Sequence, residues 1–280
     1  MMRRLRCLPP LAAAVLIALV FVARAGLTAA QEVVDLELVL AIDASSSVDE
    51  SEFVLQLEGL AAAFRNPALL AAITAVGQSG IAVSLVQWSS GGRQAVAIDW
   101  TRVWDAASAE HLAKRFSATP RLIGGGDTSL RGAINFSARQ FDGNGLEGLR
   151  KVIDISGDGG AVVTSTANPD RARDAAVARG ITINGLTVLD EVPELHDYYR
   201  KHVIGGAGAF VQTAASYQDF AEAMLRKLIQ EISDRPLAEV PGEAPETAPD
   251  ETPDETQAAA RPDQGGLVPN SGEAYLTGHE

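Results

Sequence analysis

The sequence predicts an α/β protein: a doubly wound, mostly parallel sheet with one antiparallel edge strand and helices on both faces. Three features predict it. Strand-like apolar segments alternate with segments of helical period between residues 33 and 232, the order that βαβ units produce. Several strand segments are continuous apolar runs, such as IAVSLVQW at Ile81–Trp88, which fits strands covered on both faces. Ser90-Gly91-Gly92-Arg93 joins two strand segments by a link short enough for a hairpin, so one edge is antiparallel.

The elements follow in order. Val33–Ile42 is apolar-rich and reads as the first strand. Phe53, Leu57, Leu60 and Phe64 recur at helical spacing and predict a helix over Ser51–Phe64. Ile81–Trp88 and Gln94–Trp100 are the hairpin strands. Ala106–Phe116 and Ser129–Phe141 are helical. Lys151–Ser156 is a short apolar strand running into Gly157-Asp158-Gly159-Gly160. An alanine-rich helix over Pro169–Arg179 is stopped by Gly180. Ile181–Val188 is a strand, Leu195–Val203 a short helix, Ala209–Thr213 a last strand, and Ser216–Ile232 a long amphipathic helix. There is no internal repeat.

The two ends of the 280-residue chain read differently from this body. Residues 1–30 have the form of a secretory signal: Arg3, Arg4 and Arg6, then an apolar run from Leu11 to Ala23, then small residues. That run is shorter than the ~20 residues a membrane span needs. The expectation is therefore an exported bacterial protein, periplasmic or extracellular, with no stable membrane insertion after cleavage. The single cysteine, Cys7, precedes the apolar run, so the body has no disulfide. Residues 236–280 hold seven of the thirteen prolines and one aromatic residue, Tyr275, and Glu239–Glu255 has no Lys or Arg. Such a segment buries too little apolar surface to offset its ordering entropy and reads as a disordered acidic tail. Residues 31–235 are then the single domain.

Charge narrows the function classes. The signal carries +4 and the tail −9 of the net −13, which leaves −8 on the body. An acidic body argues against nucleic acid and anionic lipid as partners and is compatible with cations.

In open α/β sheets, ligands bind beyond the carboxyl ends of strands. Three polar clusters follow strands: Asp43-Ala44-Ser45-Ser46-Ser47, the loop Gly124-Gly125-Gly126-Asp127-Thr128-Ser129, and Ser156-Gly157-Asp158-Gly159-Gly160. Alternate residues leaving a strand point the same way, so Asp43, Ser45 and Ser47 can converge. With Thr128 and Asp158 they offer three hydroxyls and two carboxylates and neither His nor Cys. That donor set suits Mg²⁺, Mn²⁺ or Ca²⁺ rather than Zn²⁺. Asp127 either adds to cation affinity or faces water. Ser46 reads as a bystander. Ser47 with Glu50 three residues on also fits a helix capping box.

Other chemistries lack their residues. No Lys-Ser/Thr follows the glycine run as in nucleotide-binding loops, and neither Ser45 nor Ser89 sits in G-x-S-x-G. His111, His196, His202 and His279 show no metal spacing.

Asp43-x-Ser45-x-Ser47 after an apolar strand, Thr128 opening a helix and Asp158-Gly159 after a later strand resemble the metal-ion-dependent adhesion site (MIDAS) of von Willebrand factor type A (vWA) domains. LVQWSS (85–90), VIDISGDGG (152–160), ARDAAVARGITINGL (172–186) and YYRKHVIGGAGAF (198–210) resemble an uncharacterised family of exported bacterial proteins of this type. The resemblance implies a Rossmann-like vWA fold with one Mg²⁺ at its top. It implies that Ser45, Ser47 and Thr128 touch the ion and that Asp43 and Asp158 act through bound water. It implies an open position for an Asp or Glu carboxylate of a protein partner. Two departures stand out: Gly157 where many such domains carry a hydroxyl residue, and Gly160-Ala161-Val162 where polar residues are expected. The expected function is a non-catalytic binding or adhesion-type domain. The alternatives are a metal-assisted hydrolase or phosphoryl-transfer enzyme using the same loops, and a structural module with an empty site.

Overall fold

The computed structural model describes residues 31–159, 168–190 and 192–233. The signal at 1–30, the tail at 236–280 and the Gly160-Ala161-Val162 departure lie outside these residues. Six strands form one sheet in the order β3-β2-β1-β4-β5-β6. They are β1 (Glu32–Asp43), β2 (Ile81–Trp88), β3 (Gln94–Val103), β4 (Leu146–Gly157), β5 (Ile181–Val188) and β6 (Val211–Ala214). All neighbours are parallel except β2 and β3, whose hairpin makes β3 the antiparallel edge. The helices are α1 (Glu50–Arg65), α2 (Pro67–Val76), α3 (Ala106–Ser117), α4 (Leu130–Arg139), α5 (Asp170–Val177), α6 (Leu195–Tyr198) and α7 (Phe220–Ser233). A π-helical turn, Tyr199–Val203, continues α6, and a 3-10 turn, Tyr217–Asp219, precedes α7.

The strand period of two divides β1 between two cores. Leu36, Leu38, Leu40 and Ile42 pack under α1, α2, α3 and α7 with Phe53, Phe64, Phe116 and Phe220. Val39 and Ala41 face the other way, with Trp88, Ile134, Ala176 and Tyr199 under α4, α5 and the π-helical turn. Both faces are thus covered, which is why every residue of β2 is buried and the strand reads as an apolar run. From β1 the chain crosses to β2 on one side, and β4 pairs on the other. The sheet order reverses here, and in such sheets the crevice above this point is where ligands bind.

Boundaries differ from the sequence expectation in physical ways. α2 was not expected. Asn66 caps it, its side chain accepting from Ala68 N at 2.9 Å, and Pro67 opens it with a pre-set φ. At ten residues its apolar run is too short to show a period. β4 starts at Leu146 rather than Lys151 because Leu146–Arg150 pair with the exposed start of β1. The last strand is Val211–Ala214, two residues later at its start than expected, because Gly206 and Gly208 hold positive φ in the turn before it.

Candidate metal centre

The end of β1 is pinned before it turns away from the sheet. Asp43 pairs in register with Trp88, and Ala44 N donates to Trp88 O at 2.8 Å. Gln56 Nε2, from α1, donates to Asp43 O at 3.0 Å. Arg121 Nη2 then donates to the carbonyls of Ala44 (3.1 Å), Ser45 (3.0 Å) and Val48 (2.8 Å). Its guanidinium lies 5.1 Å from the Phe53 ring centroid and 3.6 Å from Glu50. One side chain therefore satisfies three carbonyls of the turn, which no helix or strand ladder could satisfy.

Ser47 does not cap α1. The capping box is Asp49 with Glu52, not Ser47 with Glu50: Glu52 N donates to Asp49 Oδ1 at 2.9 Å and Asp49 N to Glu52 Oε2 at 2.7 Å. Ser47 Oγ points to the site and donates to Asp158 Oδ1 at 2.8 Å across 111 residues of sequence.

The second loop is held by Ser46, which is exposed at the rim. Its N and Oγ both donate to Gly126 O, at 3.1 and 2.9 Å. Gly126 has φ +92°, and a Cβ there would sit 2.2 Å from Ser90 Oγ, so only glycine fits. Two residues on, Thr128 is buried with Oγ1 3.3 Å from Ser45 Oγ. Ser129 caps α4, its Oγ accepting from Gly132 N at 3.2 Å. Asp127 is exposed.

All five residues singled out from the sequence thus meet at one place. Ser45 Oγ lies 3.2 Å from Ser47 Oγ and 3.3 Å from Thr128 Oγ1. Ser45 N donates to Asp43 Oδ1 at 2.7 Å. Asp158 Oδ2 accepts from Tyr217 OH at 3.3 Å. Asp43, Ser45 and Asp158 are almost wholly buried, and Ser47 is half-buried at the mouth.

Electrostatics single out Asp43. Burial pushes its carboxyl up to about 8, repulsion from Asp158 adds to the shift, and the Ser45 hydrogen bonds and Arg121 oppose it. Its Oδ2 is buried with no hydrogen-bond partner among the described residues. The Gly157 departure belongs to the same spot. A Cβ on Gly157 would lie 2.9 Å from Asp43 Oδ2, 3.0 Å from Tyr199 OH and 3.3 Å from the Trp88 ring. Tyr199 and Asp43 occupy the volume a side chain at 157 would need. Burial first, then Asp43 and Asp158, raises the Tyr199 phenol further, so it stays protonated.

Sequence reading missed Arg121, Gln56, Tyr199 and Tyr217. It also missed a second buried charge cluster. Lys227 Nζ, on α7, lies 2.7 Å from Asp154 Oδ1 and also pairs with Glu231. Asn184 Nδ2 donates to Glu231 Oε1 at 2.8 Å. Burial raises both the Asp154 and the Glu231 carboxyls, Glu231 to about 7, while Lys227 opposes both shifts. Of the histidines, His196 Nδ1 meets Thr213 Oγ1 at 3.0 Å and His202 Nδ1 meets Asp170 at 2.9 Å. No group of three or more His, Cys, Asp or Glu that could hold a metal occurs among the described residues.

A doubly wound sheet of this order with these three loops above it is a vWA-like, Rossmann-like fold. The chain belongs to the family described as "Protein of unknown function (DUF1194)", whose model matches residues 32–236. No curated protein sequence matches it. Among solved structures it is similar to proximal thread matrix protein 1 from the mussel byssus, with a TM-score of 0.55 at 14% identity over 72% of this chain and 48% of that one. Another structure of that mussel protein, described as having a zinc-occupied MIDAS motif, matches with a TM-score of 0.50 at 15% identity over 72% of this chain and 49% of that one. The chain spans about half the length of these mussel proteins. At such identities the likeness is one of fold. Among the described residues no single helix is long and apolar enough to cross a membrane.

Proposed function

We propose that the domain is an exported, non-catalytic binding module that holds one divalent cation of the Mg²⁺ class at this centre and engages an acidic side chain of a protein partner through it. Ser45, Ser47 and Thr128 are the direct ligands, and Asp43 and Asp158 act through bound water. Mn²⁺ and Ca²⁺ fit the same donors. The export reading takes residues 1–30 as a cleaved signal and residues 236–280 as a tail outside the domain, on composition alone.

The observation that carries the reading is Asp43: a wholly buried carboxylate with one oxygen unpartnered, set beside three converging hydroxyls. An isolated buried charge is costly and is normally paired or metal-bound. The hydroxyl spacings support a hard cation. Adjacent ligands of an octahedral ion with bonds of about 2.1 Å stand ~3.0 Å apart, and those of an ion with bonds of about 2.4 Å stand ~3.4 Å apart. The separations of 3.2 and 3.3 Å lie between the two. Neutral hydroxyls leave the ion's charge largely uncancelled, and when bound it supplies the positive centre that a carboxylate completes. The mussel protein with a metal-occupied MIDAS supports the idea that this fold can hold a cation there.

Titration of the full chain with Mg²⁺ in a calorimeter tests this. Heat of binding is expected for wild type and is expected to vanish in Ser45→Ala/Thr128→Ala. Metal-dependent turnover of p-nitrophenyl phosphate or p-nitrophenyl acetate, lost in the same variant, would reverse the non-catalytic assignment.

A further inference from the structure

Most cations of this acidic domain are paired. Arg65 meets Glu110, Arg102 meets Glu32, Arg179 meets Asp142, Arg226 meets Glu222 and Lys151 meets Glu37. Arg93, Arg131 and Arg139 depart from this, as do Arg171, Arg200 and Lys201 elsewhere on the surface, among the described residues. The first three are exposed, and none has a carboxylate within ion-pair distance among the described residues. They also cluster. Arg131 and Arg139 line a polar groove of about 390 Å³ between the β2–β3 turn and α4, with Asn135, Gln94 and Ser129. Among the described residues no acidic side chain lines it. Arg93 does not line the groove but lies beside the loop that leads to Ser129, its Nη1 3.7 Å from where a Cβ on Gly126 would be.

The groove starts where the candidate metal centre stops. Ser129 is in its wall, and Thr128 is the neighbouring residue. Arg131, Asn135 and Arg139 recur at helical i, i+4, i+8 spacing, so they form one row down α4. The groove thus presents guanidinium and amide donors beside a centre that wants a carboxylate. Guanidinium forks match carboxylates in bidentate geometry. A positive cleft in a domain of net −8 also focuses potential onto that strip.

We propose that the groove is the second half of the partner site. It receives an extended acidic polypeptide segment whose first carboxylate reaches the metal centre and whose following acids pair with Arg93, Arg131 and Arg139. Eight helical residues separate Arg131 from Arg139, a rise of about 12 Å. An extended chain covers that distance in about four residues at ~3.3 Å each, so the partner's acids recur about four residues apart. The first anchor rests on the metal reading proposed above, and the remaining anchors rest on the arginines alone.

The test is fluorescence anisotropy of a labelled synthetic peptide with Glu about every four residues, titrated with the full chain in Mg²⁺. Its control is the same peptide with all but one Glu replaced by Gln. Arg131→Gln/Arg139→Gln alters only exposed side chains, and thermal melting checks that the fold persists. That variant is expected to bind the multi-acid peptide about tenfold more weakly, with a shallower salt dependence and unchanged affinity for the one-acid control. Unchanged affinity for the multi-acid peptide overturns the groove and leaves the metal reading standing. An arginine effect that survives Ser45→Ala/Thr128→Ala and chelation upholds the groove and removes the metal anchor. No binding of the multi-acid peptide by wild type overturns the inference. So does arginine-dependent, metal-independent binding of a sulfated oligosaccharide in preference to the peptide, which would make the ligand a glycan.

Discussion

Two sets of buried carboxylates meet near the end of β4, one around Asp154 within the strand and one around Asp158 just beyond it, and their surroundings differ. Asp154 faces α7 and shares Lys227 with Glu231, so an ammonium of the chain itself sits among the acids. Asp158, four residues on, meets Ser47 and Tyr217, and Asp43 beside it takes the N–H of Ser45 and keeps a buried oxygen without a partner. In the first cluster Asp154 Oδ2 and Glu231 Oε2 also lack hydrogen-bond partners among the described residues, but the counter-charge is built in and ties the helix to the sheet. In the second the donors include the Ser47 and Tyr217 hydroxyls and the Ser45 N–H, which are neutral, and the serine hydroxyl can ligate. On the proposed reading, that difference separates a closed network from one open to a cation from solution.

The sharpest way to break the comparison is to remove the built-in cation. Lys227→Met is expected to lower the unfolding free energy by about 3–5 kcal/mol, because it leaves Asp154 and Glu231 buried and uncompensated. Urea denaturation measures this. A loss below about 1 kcal/mol would mean the network is not the lock assigned to it.

The next effect belongs to the other cluster. Mg²⁺ at a hundred times its dissociation constant is expected to stabilise wild type by about 2.7 kcal/mol by mass action. Ser45→Ala/Thr128→Ala should lose this gain in melting experiments, whereas Lys227→Met, if still folded, should keep it. Crowding comes third. Gly157→Ala drives a Cβ to 2.9 Å from Asp43 Oδ2 and 3.0 Å from Tyr199 OH. Overpacking of this kind costs about 1–3 kcal/mol, and displacement of Asp43 should weaken the Mg²⁺ response as well.

The most gradual effect is a slope with pH, spread over about four units. In the metal-free protein the Asp43 carboxyl sits at about 8 against its ordinary 3.8, through burial and then Asp158. The folded state therefore keeps a proton that the unfolded state has lost. Stability from this group is complete below about pH 4 and is lost as pH rises toward 8, by at most about 1.4 kcal/mol per pH unit. In chelator, stability curves of wild type against Asp43→Asn should differ in this slope over that window. Parallel curves would mean Asp43 is not held as described.

The sequence made much of this legible for identifiable reasons. Donors that leave the carboxyl end of a strand sit next to an apolar run, so Asp43, Ser45, Ser47 and Asp158 stood out; Thr128 lies in a loop between α3 and α4 rather than after a strand as expected, and only its glycine run marked it. The sheet was readable because strands buried on both faces are apolar throughout. Arg121 was not readable, because it works on backbone carbonyls more than 70 residues away, and carbonyls carry no sequence signal. Tyr199 was hidden because its place beside Asp43 depends on the absence of a side chain at Gly157. Lys227 and Glu231 carry no signal of burial: on an amphipathic helix, a Lys and a Glu four apart look like a solvent-facing pair, yet both are buried. The capping box was off by two residues because Ser47/Glu50 and Asp49/Glu52 both have the right chemistry and only the chain path chooses between them.

The central claim is that the Asp43 centre takes a cation, and Mn²⁺ tests it most directly because its free and bound forms separate in electron paramagnetic resonance. Titration of the full chain should reveal one bound Mn²⁺ per chain, displaced by excess Mg²⁺ and absent from Ser45→Ala/Thr128→Ala. A wild-type chain that binds no more Mn²⁺ than that variant contradicts the account.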